Sequence, residues 1–468
     1  MTLSKQELLR CIPSVEAVLQ MTEAACSSAG VPRRMLVDAV RAALDSAREL
    51  VLSERCRCPD QASLQRAILQ QVEQRVGEAA GPHYRRAINA TGIILHTALG
   101  RAVLPARAIR QIQEELSGYS LVQVDIQTGK RSKRDERIAW LLRQLTGAEA
   151  ATVVNNNAAA TLIALNSVAA GREVIVSRGQ LVEIGGSFRL PDVIAAAGVK
   201  LIEVGATNRT HLRDYQRAIT ENTAAIMRVH PSNYKISGFT CEVPLAPLVQ
   251  LAHGRGLVVI DDVGAGPLVD FSRFGFAREP TLPESVGAGA DLITCSADKL
   301  IGGSQGGILL GRAALIQAVR QNPLARIVRP GKLTLAALEA TLGLFFDPSV
   351  ALREVPTLRM LCRPLAEIGQ QAERIVDAVA RRVPAARLDV VDGFSQMGSG
   401  SLPAQDLPTR LVSLAGTVSP GELAARLRHV NPPVFVRVHK GRVLLDPRTL
   451  LDGEEAVVVE ALVTALQE

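Results

Sequence analysis

Residues 292–310 read LITCSADKLIGGSQGGILL and contain one lysine, Lys299, between two apolar runs. The runs predict two buried strands, and the glycine pairs between them predict a tight turn. Lysine is seldom buried without a partner or a chemical task, and glycines allow a planar group to approach the backbone. Ser296 adds a hydroxyl that suits a phosphate. The stretch indicates a Schiff-base lysine for pyridoxal 5'-phosphate (PLP), while a surface lysine in a β-turn fits this stretch alone equally well.

The composition bounds the class of protein. Hydrophobic residues make up 47% of the 468-residue chain, which supports well-buried globular cores. A formal net charge of +7 is compatible with a polyanionic partner without establishing one. No apolar run reaches the ~18 residues that cross a bilayer, and no signal pattern is present, so we expect a cytoplasmic protein without a membrane partner. Seven scattered cysteines predict reduced thiols and no metal site.

The chain divides into three predicted domains. Residues 1–80 show only helical periodicity and predict a helical module, whose first helix is marked by the capping-box pair Ser4 and Glu7. Residues 81–340 predict the large domain, including the linker that precedes it. Residues 341–468 mix helices and short strands, which predicts a small α+β domain.

Strands and helices alternate through the large domain. This alternation predicts an open, largely parallel sheet covered by helices, with ligands bound beyond the carboxyl ends of the strands. The predicted strands are at 151–154, 174–176, 201–204, 225–229, 257–260, 292–295 and 307–310.

Polar side chains follow three of these strands. Asn156 and Asn157 open a helix, where free backbone N–H groups suit a phosphate, although a plain N-cap also explains one asparagine. Asp261 and Asp262 follow another strand, where a carboxylate would keep a pyridine nitrogen protonated and where one of the two fits a cap or turn. His230, at a third strand end, is a candidate cofactor contact and lacks metal-ligand spacing.

Basic residues outside this set suggest an anion site. Residues 130–134 place four cations within five positions, which either repel one another on a solvated helix lead-in or gather an anion. Arg326 and Arg329 fit one helical turn and, with Arg101, suit bidentate phosphate contacts. For Arg326 and Arg329 taken alone, a solvated helical face is the simpler interpretation.

Nucleotide motifs do not explain the chain. The glycines at 264 and 266 lack the third glycine of the dinucleotide pattern, and no phosphate-binding loop of the ATPase type occurs. A dinucleotide or ATP enzyme is therefore not indicated.

Taken together, the motifs resemble those of the bacterial selenocysteine synthases, the L-seryl-tRNA(Sec) selenium transferases. The resemblance covers nearly the whole length and includes the helical module, which relatives acting on small amino compounds tend to lack. The motifs that carry it are NATGIILHTALGR (89–101), DIQTGK (125–130), HPSNYKISGF (230–239), DDVG (261–264), SADKLIGG (296–303) and the segment 322–332.

The resemblance implies an α/β protein of PLP-dependent transferase fold type I, with a mostly parallel central sheet, an N-terminal helical domain and a C-terminal small α+β domain. It implies that Lys299 forms the internal aldimine and later takes the seryl α-proton, and that Asp261 pairs with the ring nitrogen. Ser296, Asn156 and Asn157 would hold the cofactor phosphate.

The resemblance also implies the reaction. L-seryl-tRNA(Sec) would become L-selenocysteinyl-tRNA(Sec) with selenophosphate, through a PLP-bound aminoacrylyl-tRNA. Arg101, Arg326 and Arg329 would grip selenophosphate, and Asp298 would help to arrange the site. The helical module would dock the tRNA, and the family forms a homodecamer of dimers.

Two other functions remain open from the sequence. A PLP lyase acting on a small phosphorylated amino compound would use the same lysine and arginines, but would leave residues 1–80 without a task. A tRNA-binding protein with an inactive site is the other possibility, and the combination of Lys299, Asp261 and the arginines argues against it.

Overall fold

The computed structural model describes residues 4–28, 31–53, 60–186, 188–231, 233–402, 405–415 and 418–467. The chain forms two compact units, residues 1–86 and 87–468, each described here by itself. The three predicted domain ranges stay predictions, and the predicted limit at residue 340 falls within a helix, Lys332–Leu344.

The described part of the first unit is helical. The predicted capping box is confirmed, because the Ser4 hydroxyl accepts from Glu7 N–H while the Glu7 carboxylate accepts from Ser4 N–H. Apolar side chains from all four helices, including Leu8, Val18, Leu44 and Ile68, are buried against one another and stabilise the unit. The helices are α1 (Lys5–Arg10), α2 (Val15–Ser28), α3 (Arg33–Leu52) and α4 (Gln61–Ala80).

The second unit alternates strands and helices in its first part, as predicted. In chain order its elements up to residue 344 are β1 (Ile88–Asn89), α5 (Ala106–Glu115), α6 (Glu136–Thr146), β2 (Ala150–Val154), α7 (Asn157–Ala169), β3 (Glu173–Ser177), β4 (Glu183–Ile184), β5 (Phe188–Arg189), α8 (Leu190–Ala196), β6 (Lys200–Val204), α9 (Leu212–Ala218), β7 (Thr223–Val229), α10 (Leu245–His253), β8 (Val258–Gly264), α11 (Leu282–Gly287), β9 (Leu292–Ser296), β10 (Gly307–Gly311), α12 (Ala313–Gln321), α13 (Leu324–Ile327) and α14 (Lys332–Leu344).

The central sheet confirms the predicted α/β class and all seven predicted strands. Among the described residues it has seven strands in the order β2-β10-β9-β8-β7-β3-β6. Only β10 runs antiparallel, pairing with β2 and β9, and the other neighbours are parallel. Strand β8 continues to Gly264, so the two aspartates predicted to follow a strand lie within it.

The remaining elements form a smaller α+β part. Its four-stranded sheet has the order β11-β12-β15-β14 in the described residues, and helices α17–α19 contribute side chains to its core. Strand β1 pairs with β13. The elements are α15 (Pro348–Glu354), α16 (Pro356–Leu361), α17 (Leu365–Arg382), β11 (Arg387–Ser395), β12 (Leu407–Ala415), α18 (Pro420–His429), β13 (Val434–Phe435), β14 (Arg437–His439), β15 (Arg442–Leu445) and α19 (Glu454–Gln467).

The described residues lack two kinds of feature. No helix there has the length and apolar character to cross a membrane, and no group of three or more His, Cys, Asp or Glu could hold a metal ion. Cys11, Cys241, Cys295 and Cys362 are free thiols. Cys56 and Cys58, and the side chain of Cys26, lie outside what the structure describes.

Candidate active site

Lys299 lies in a rigid turn between β9 and β10. Its carbonyl accepts from Gly302 N–H at 3.0 Å, and the next residue, Leu300, donates to Ala265 at 3.3 Å. Gly302 has φ +69°, and a Cβ there would collide with Val355, so the turn requires glycine. Only 7% of Lys299 is exposed. The structure therefore favours the buried lysine over the surface β-turn.

The surroundings of Lys299 favour a neutral amine. Burial lowers its pKa most, and the nearby Arg101 guanidinium lowers it further, while the Asp262 and Asp298 carboxylates oppose the shift. A neutral amine is the form that attacks an aldehyde or accepts a proton.

Asp298 and Arg101 form an ion pair beside this lysine. Arg101 Nη1 donates to Asp298 Oδ2 at 2.9 Å, and Asp298 is buried while about a third of the Arg101 side chain is exposed. Arg101 has φ +62°, an uncommon conformation for a residue with a side chain, and its N–H donates to His96. The structure thus brings together three predicted catalytic residues: Lys299, Asp298 and Arg101.

The two aspartates of β8 have different partners. Asp261 is completely buried, accepting from Arg228 Nη1 at 2.9 Å and from the Ser285 hydroxyl at 2.7 Å. Consecutive strand residues point to opposite faces of a sheet, and Asp262 is the one that interacts with Lys299. Asp261, the predicted partner of the ring nitrogen, therefore lies on the other face of the sheet, where it forms an ion pair with Arg228.

Asp262 is held by the start of helix α7. Its Oδ1 accepts from Asn157 Nδ2 at 3.0 Å and from Gly264 N–H at 3.1 Å, and its Oδ2 accepts from Thr161 at 3.2 Å. Burial raises the pKa of Asp262, and these hydrogen bonds oppose the increase. The carboxylate is fixed in orientation beside Lys299.

The predicted phosphate residues surround the N-terminus of α7. Asn156 is its N-cap and accepts from Ala159 N–H at 2.8 Å. Ser296 ends β9 opposite Gly307, where an added Cβ would collide with the Asn156 carbonyl. Unpaired N–H groups of a first helical turn suit an anion. Asn157 points its amide at Asp262, so its side chain serves the carboxylate.

His230 lies next to the site through its backbone. Its N–H donates to the Asp262 carbonyl at 2.9 Å, whereas its imidazole Nε2 lies 2.6 Å from the Glu279 carboxylate. The predicted cofactor contact by this imidazole stays a prediction, with Glu279 as the partner that orients the ring.

Arg326 and Arg329 lie in a second cationic group. They lie on and just after α13, and with Arg131 they lower the pKa of Arg134, for which burial is the largest cause. Arg134 Nη1 donates to the Pro330 carbonyl at 3.1 Å and so links the residues just before α6 to the segment that follows α13. The predicted basic cluster at 130–134 thus joins Arg326 and Arg329, whereas Arg101 is paired with Asp298.

The residues present fit a PLP molecule. Lys299 supplies a buried amine, and Asp262 supplies a fixed buried carboxylate on the same side of the sheet. The Asn157 Oδ1 atom is buried without a hydrogen-bond partner among the described residues, as expected where a polar group is meant to bind there.

Sequence reasoning missed the roles of Arg228, Thr161 and Arg134. Arg228 lies directly across from Asp261 in the parallel pair of β7 and β8, so its partner is visible once the register is known. Thr161 follows Asn157 by four residues, which places both on one face of α7. That i,i+4 spacing is the signal that the sequence did offer.

The chain is similar to known proteins over nearly its whole length. A family model described as L-seryl-tRNA selenium transferase matches residues 87–451, and one described as selenocysteine synthase N terminal matches residues 9–48. An L-seryl-tRNA(Sec) selenium transferase of Solidesulfovibrio magneticus is 47% identical over 99% of both chains. One of Geobacter sulfurreducens is 46% identical over 96% of this chain and 98% of the relative. The solved structure of a D-glucosaminate-6-phosphate ammonia-lyase superposes with a TM-score of 0.56 at 20% identity, covering 84% of this chain and 98% of that one, a likeness of fold.

Proposed function

The chain belongs to the family of L-seryl-tRNA selenium transferases, and we propose that it converts L-seryl-tRNA(Sec) to L-selenocysteinyl-tRNA(Sec) with selenophosphate. It is a transferase with PLP fold type I, and PLP is its cofactor. The observation that carries the proposal is a buried Lys299 beside Asp262, at the carboxyl ends of parallel strands. The lyase alternative is not favoured by the relatives.

Asp262, rather than Asp261, is our candidate for holding the proton of the cofactor's ring nitrogen. Its carboxylate lies on the face that carries Lys299 and is oriented by Asn157. When bound, PLP supplies an electron sink that stabilises negative charge on the substrate carbon next to the amine. The N-terminus of α7, with Ser296, would hold its phosphate.

Lys299 would move the protons. Because burial lowers the pKa of Lys299, the neutral form of the amine at Nζ is favoured, and this form can accept the seryl α-proton. Asp298 fixes Arg101 at the edge of the same site, so that a cation remains close to Lys299 and opposes its protonation.

The arginines would bind the selenium donor. Arg326 and Arg329 are exposed and lie with Arg134, a group that carries several positive charges and suits the phosphoryl oxygens of selenophosphate. Arg101 would contribute from the Lys299 side.

The first unit would bind the tRNA. The described part of this unit has its own buried core and supplies no strand to the central sheet. We expect the affinity for tRNA(Sec) to fall steeply as salt rises, because phosphate contacts release counterions. Binding measured from 50 to 300 mM salt tests this, and a flat profile would contradict it. A cytoplasmic location stays a prediction.

We propose that the protein forms a homo-oligomer. The proposed number of subunits, ten, comes from the family resemblance alone. Large apolar side chains are exposed close to the arginine cluster in sequence, and Ile327 is 74% exposed between Arg326 and Arg329. Tyr119, Leu121 and Ile126 are also exposed. Such patches commonly mark interfaces. The mass of the purified protein in solution tests the assembly, and a monomer would contradict it.

The reaction itself is tested with purified protein, seryl-tRNA(Sec) and selenophosphate, followed by analysis of the esterified amino acid. Selenocysteine on the tRNA is the expected product. A matched control uses seryl-tRNA(Ser), which carries the same amino acid. Unchanged serine on tRNA(Sec), from protein that shows bound PLP in its absorption spectrum, would contradict the proposal.

A further inference from the structure

A separate cavity of about 140 Å³ lies against the edge strand of the central sheet. Its lining includes Arg134, Arg320 and Arg329, with Asp135 as the acidic residue. The described lining contains neither Lys299 nor Asp298. This volume is well above the ~10–15 Å³ that a cavity needs to hold one water, and it is enough for one tetrahedral oxyanion.

The strand edge presents backbone groups to this cavity. Ala151 O accepts from Arg320 Nη2 at 2.9 Å, and Asn155 N–H donates to Val328 O at 2.8 Å, both on the side of β2 away from β10. Because backbone groups alternate along a strand, Val153 N–H and C=O point the same way. Val153 lines the cavity. One donor and one acceptor of the backbone therefore face it.

Two arginines of the lining have unused donors. The Nε atoms of Arg134 and Arg320 are buried and have no hydrogen-bond partner among the described residues. Arg134 donates through Nη1 to Pro330 and through Nη2 to Gln123, and Arg320 donates through Nη2 to Asp135 and Ala151. Buried N–H groups of charged side chains are costly to leave unpaired.

The charges at the cavity do not cancel. Three guanidinium groups line it against the single Asp135 carboxylate, which is already paired with Arg320 at 2.8 Å. Repulsion from Arg329 also lowers the pKa of Arg134, after burial as the main cause. An anion would reduce this repulsion and accept from the free Nε–H groups.

We infer that this cavity binds a small tetrahedral oxyanion of the hydrogen phosphate class. Acceptor oxygens of the ion would pair with the Nε–H groups of Arg134 and Arg320 and with Val153 N–H, and its hydroxyl would pair with Val153 C=O. Arg329 would be shared with the proposed selenophosphate contacts. Only the choice of selenophosphate as a second probe rests on the proposed function.

Tungstate and orthophosphate test the site in protein loaded with PLP, so that the cofactor phosphate position is already filled. Crystals soaked in tungstate should show an anomalous peak between Arg134, Arg320 and Arg329. In chloride-free buffer, orthophosphate titrated into Arg134→Gln or Arg320→Gln should bind at least about tenfold more weakly than to the unaltered protein. The control Arg381→Gln, at an exposed position on α17, should bind as the unaltered protein does.

Other results would overturn the inference. A tungstate peak only beside Arg101, or phosphate affinity lost in Arg101→Gln and kept in both cavity variants, would place the ion at the proposed donor site alone. Thermal unfolding without phosphate identifies a variant that is misfolded, and Arg134→Lys then replaces it, with the same loss of affinity expected.

Competition separates the two sources of the ion. If selenophosphate displaces tungstate from the cavity, the phosphoryl group of the donor is a ligand there, and if only orthophosphate does so, free phosphate is the ligand. Both results support an oxyanion site. Phosphate binding in protein that fails to transfer selenium would contradict the proposed function and leave this cavity site intact.

Discussion

Two charged regions of the second unit differ in how their charges are balanced. Beside Lys299, each carboxylate has a partner within the chain: Asp298 pairs with Arg101, and Asp262 accepts from Asn157. Around Arg326 and Arg329 the cations outnumber the one nearby carboxylate, Asp135, and the pKa of Arg134 is lowered by burial and then by these arginines. Beside Lys299 the charges are balanced within the fold. Around Arg326 and Arg329 the described residues leave an excess of positive charge.

This difference predicts how substitutions in the two regions will affect catalysis, stability and ligand binding. In the balanced region, loss of one group should alter chemistry or stability, because the remaining partner is buried and left unpaired. In the cationic region, loss of one group should weaken ligand binding and relieve repulsion, with little cost to the fold. The variants that follow test this contrast.

Lys299→Ala should have the largest effect. Without the amine, the visible absorption of lysine-bound pyridoxal disappears, and selenium transfer should fall by at least about 1,000-fold, because both covalent attachment and proton transfer are lost. Absorption spectra and the transfer assay measure this. Lys200→Ala, at an exposed lysine of β6 paired with Glu173, is the matched control. Retained visible absorption in Lys299→Ala would contradict the assignment.

Asp262→Asn and Asp261→Asn should separate catalysis from stability. Asp262→Asn should lower selenium transfer on the order of 100-fold, since a neutral amide no longer favours a protonated ring nitrogen. Asp261→Asn should lower the free energy of unfolding by roughly 3 kcal/mol, because Arg228 loses its buried counter-charge. Selenium-transfer rates and denaturant unfolding, measured for both variants, distinguish loss of catalysis from loss of stability. Catalytic loss confined to Asp261→Asn would restore the original assignment.

The aspartate pair shows what the sequence could and could not establish. Period-two alternation predicts that Asp261 and Asp262 face opposite sides of β8. Which side carries the cofactor depends on the strand order β9-β8-β7 and on where the lysine turn and α7 lie, and no local pattern encodes this. The strands themselves were predictable because buried parallel strands read as short apolar runs.

The arginines give the same lesson at longer range. Arg134 and Arg329 are far apart in sequence, and the loop that ends at Pro330 brings them together. Each segment was predictable as basic, but their combination depends on how α6 and α13 pack. The predicted grouping with Arg101 stays a prediction, because in the described contacts Arg101 is bound to Asp298.

Arg326→Ala and Arg329→Ala should have an intermediate effect. Each should raise the KM for selenophosphate by about 10- to 100-fold, which is the size expected for one charge-assisted hydrogen bond. The visible absorption of bound cofactor should stay unchanged. Steady-state kinetics at varied selenophosphate tests this against Arg143→Ala, an exposed arginine of α6. Loss of cofactor with unaltered KM would show that these arginines belong to the cofactor site.

The smallest expected effect concerns the pH at which apoprotein captures PLP. The neutral amine reacts, so the capture rate should rise with pH through the Lys299 pKa, which burial holds below the ordinary value of about 10.4. Arg101→Gln removes a cation that lowers this pKa, so the midpoint should move to higher pH. Asp298→Asn removes a carboxylate that raises it, so the midpoint should move to lower pH. Each shift should be roughly half to one pH unit, reduced by solvent screening at the exposed part of Arg101. Stopped-flow absorbance from pH 6 to 10 measures both midpoints. Two shifts of the same sign would mean that the variants act by disturbing the turn, and that the Arg101–Asp298 pair does not tune the amine electrostatically.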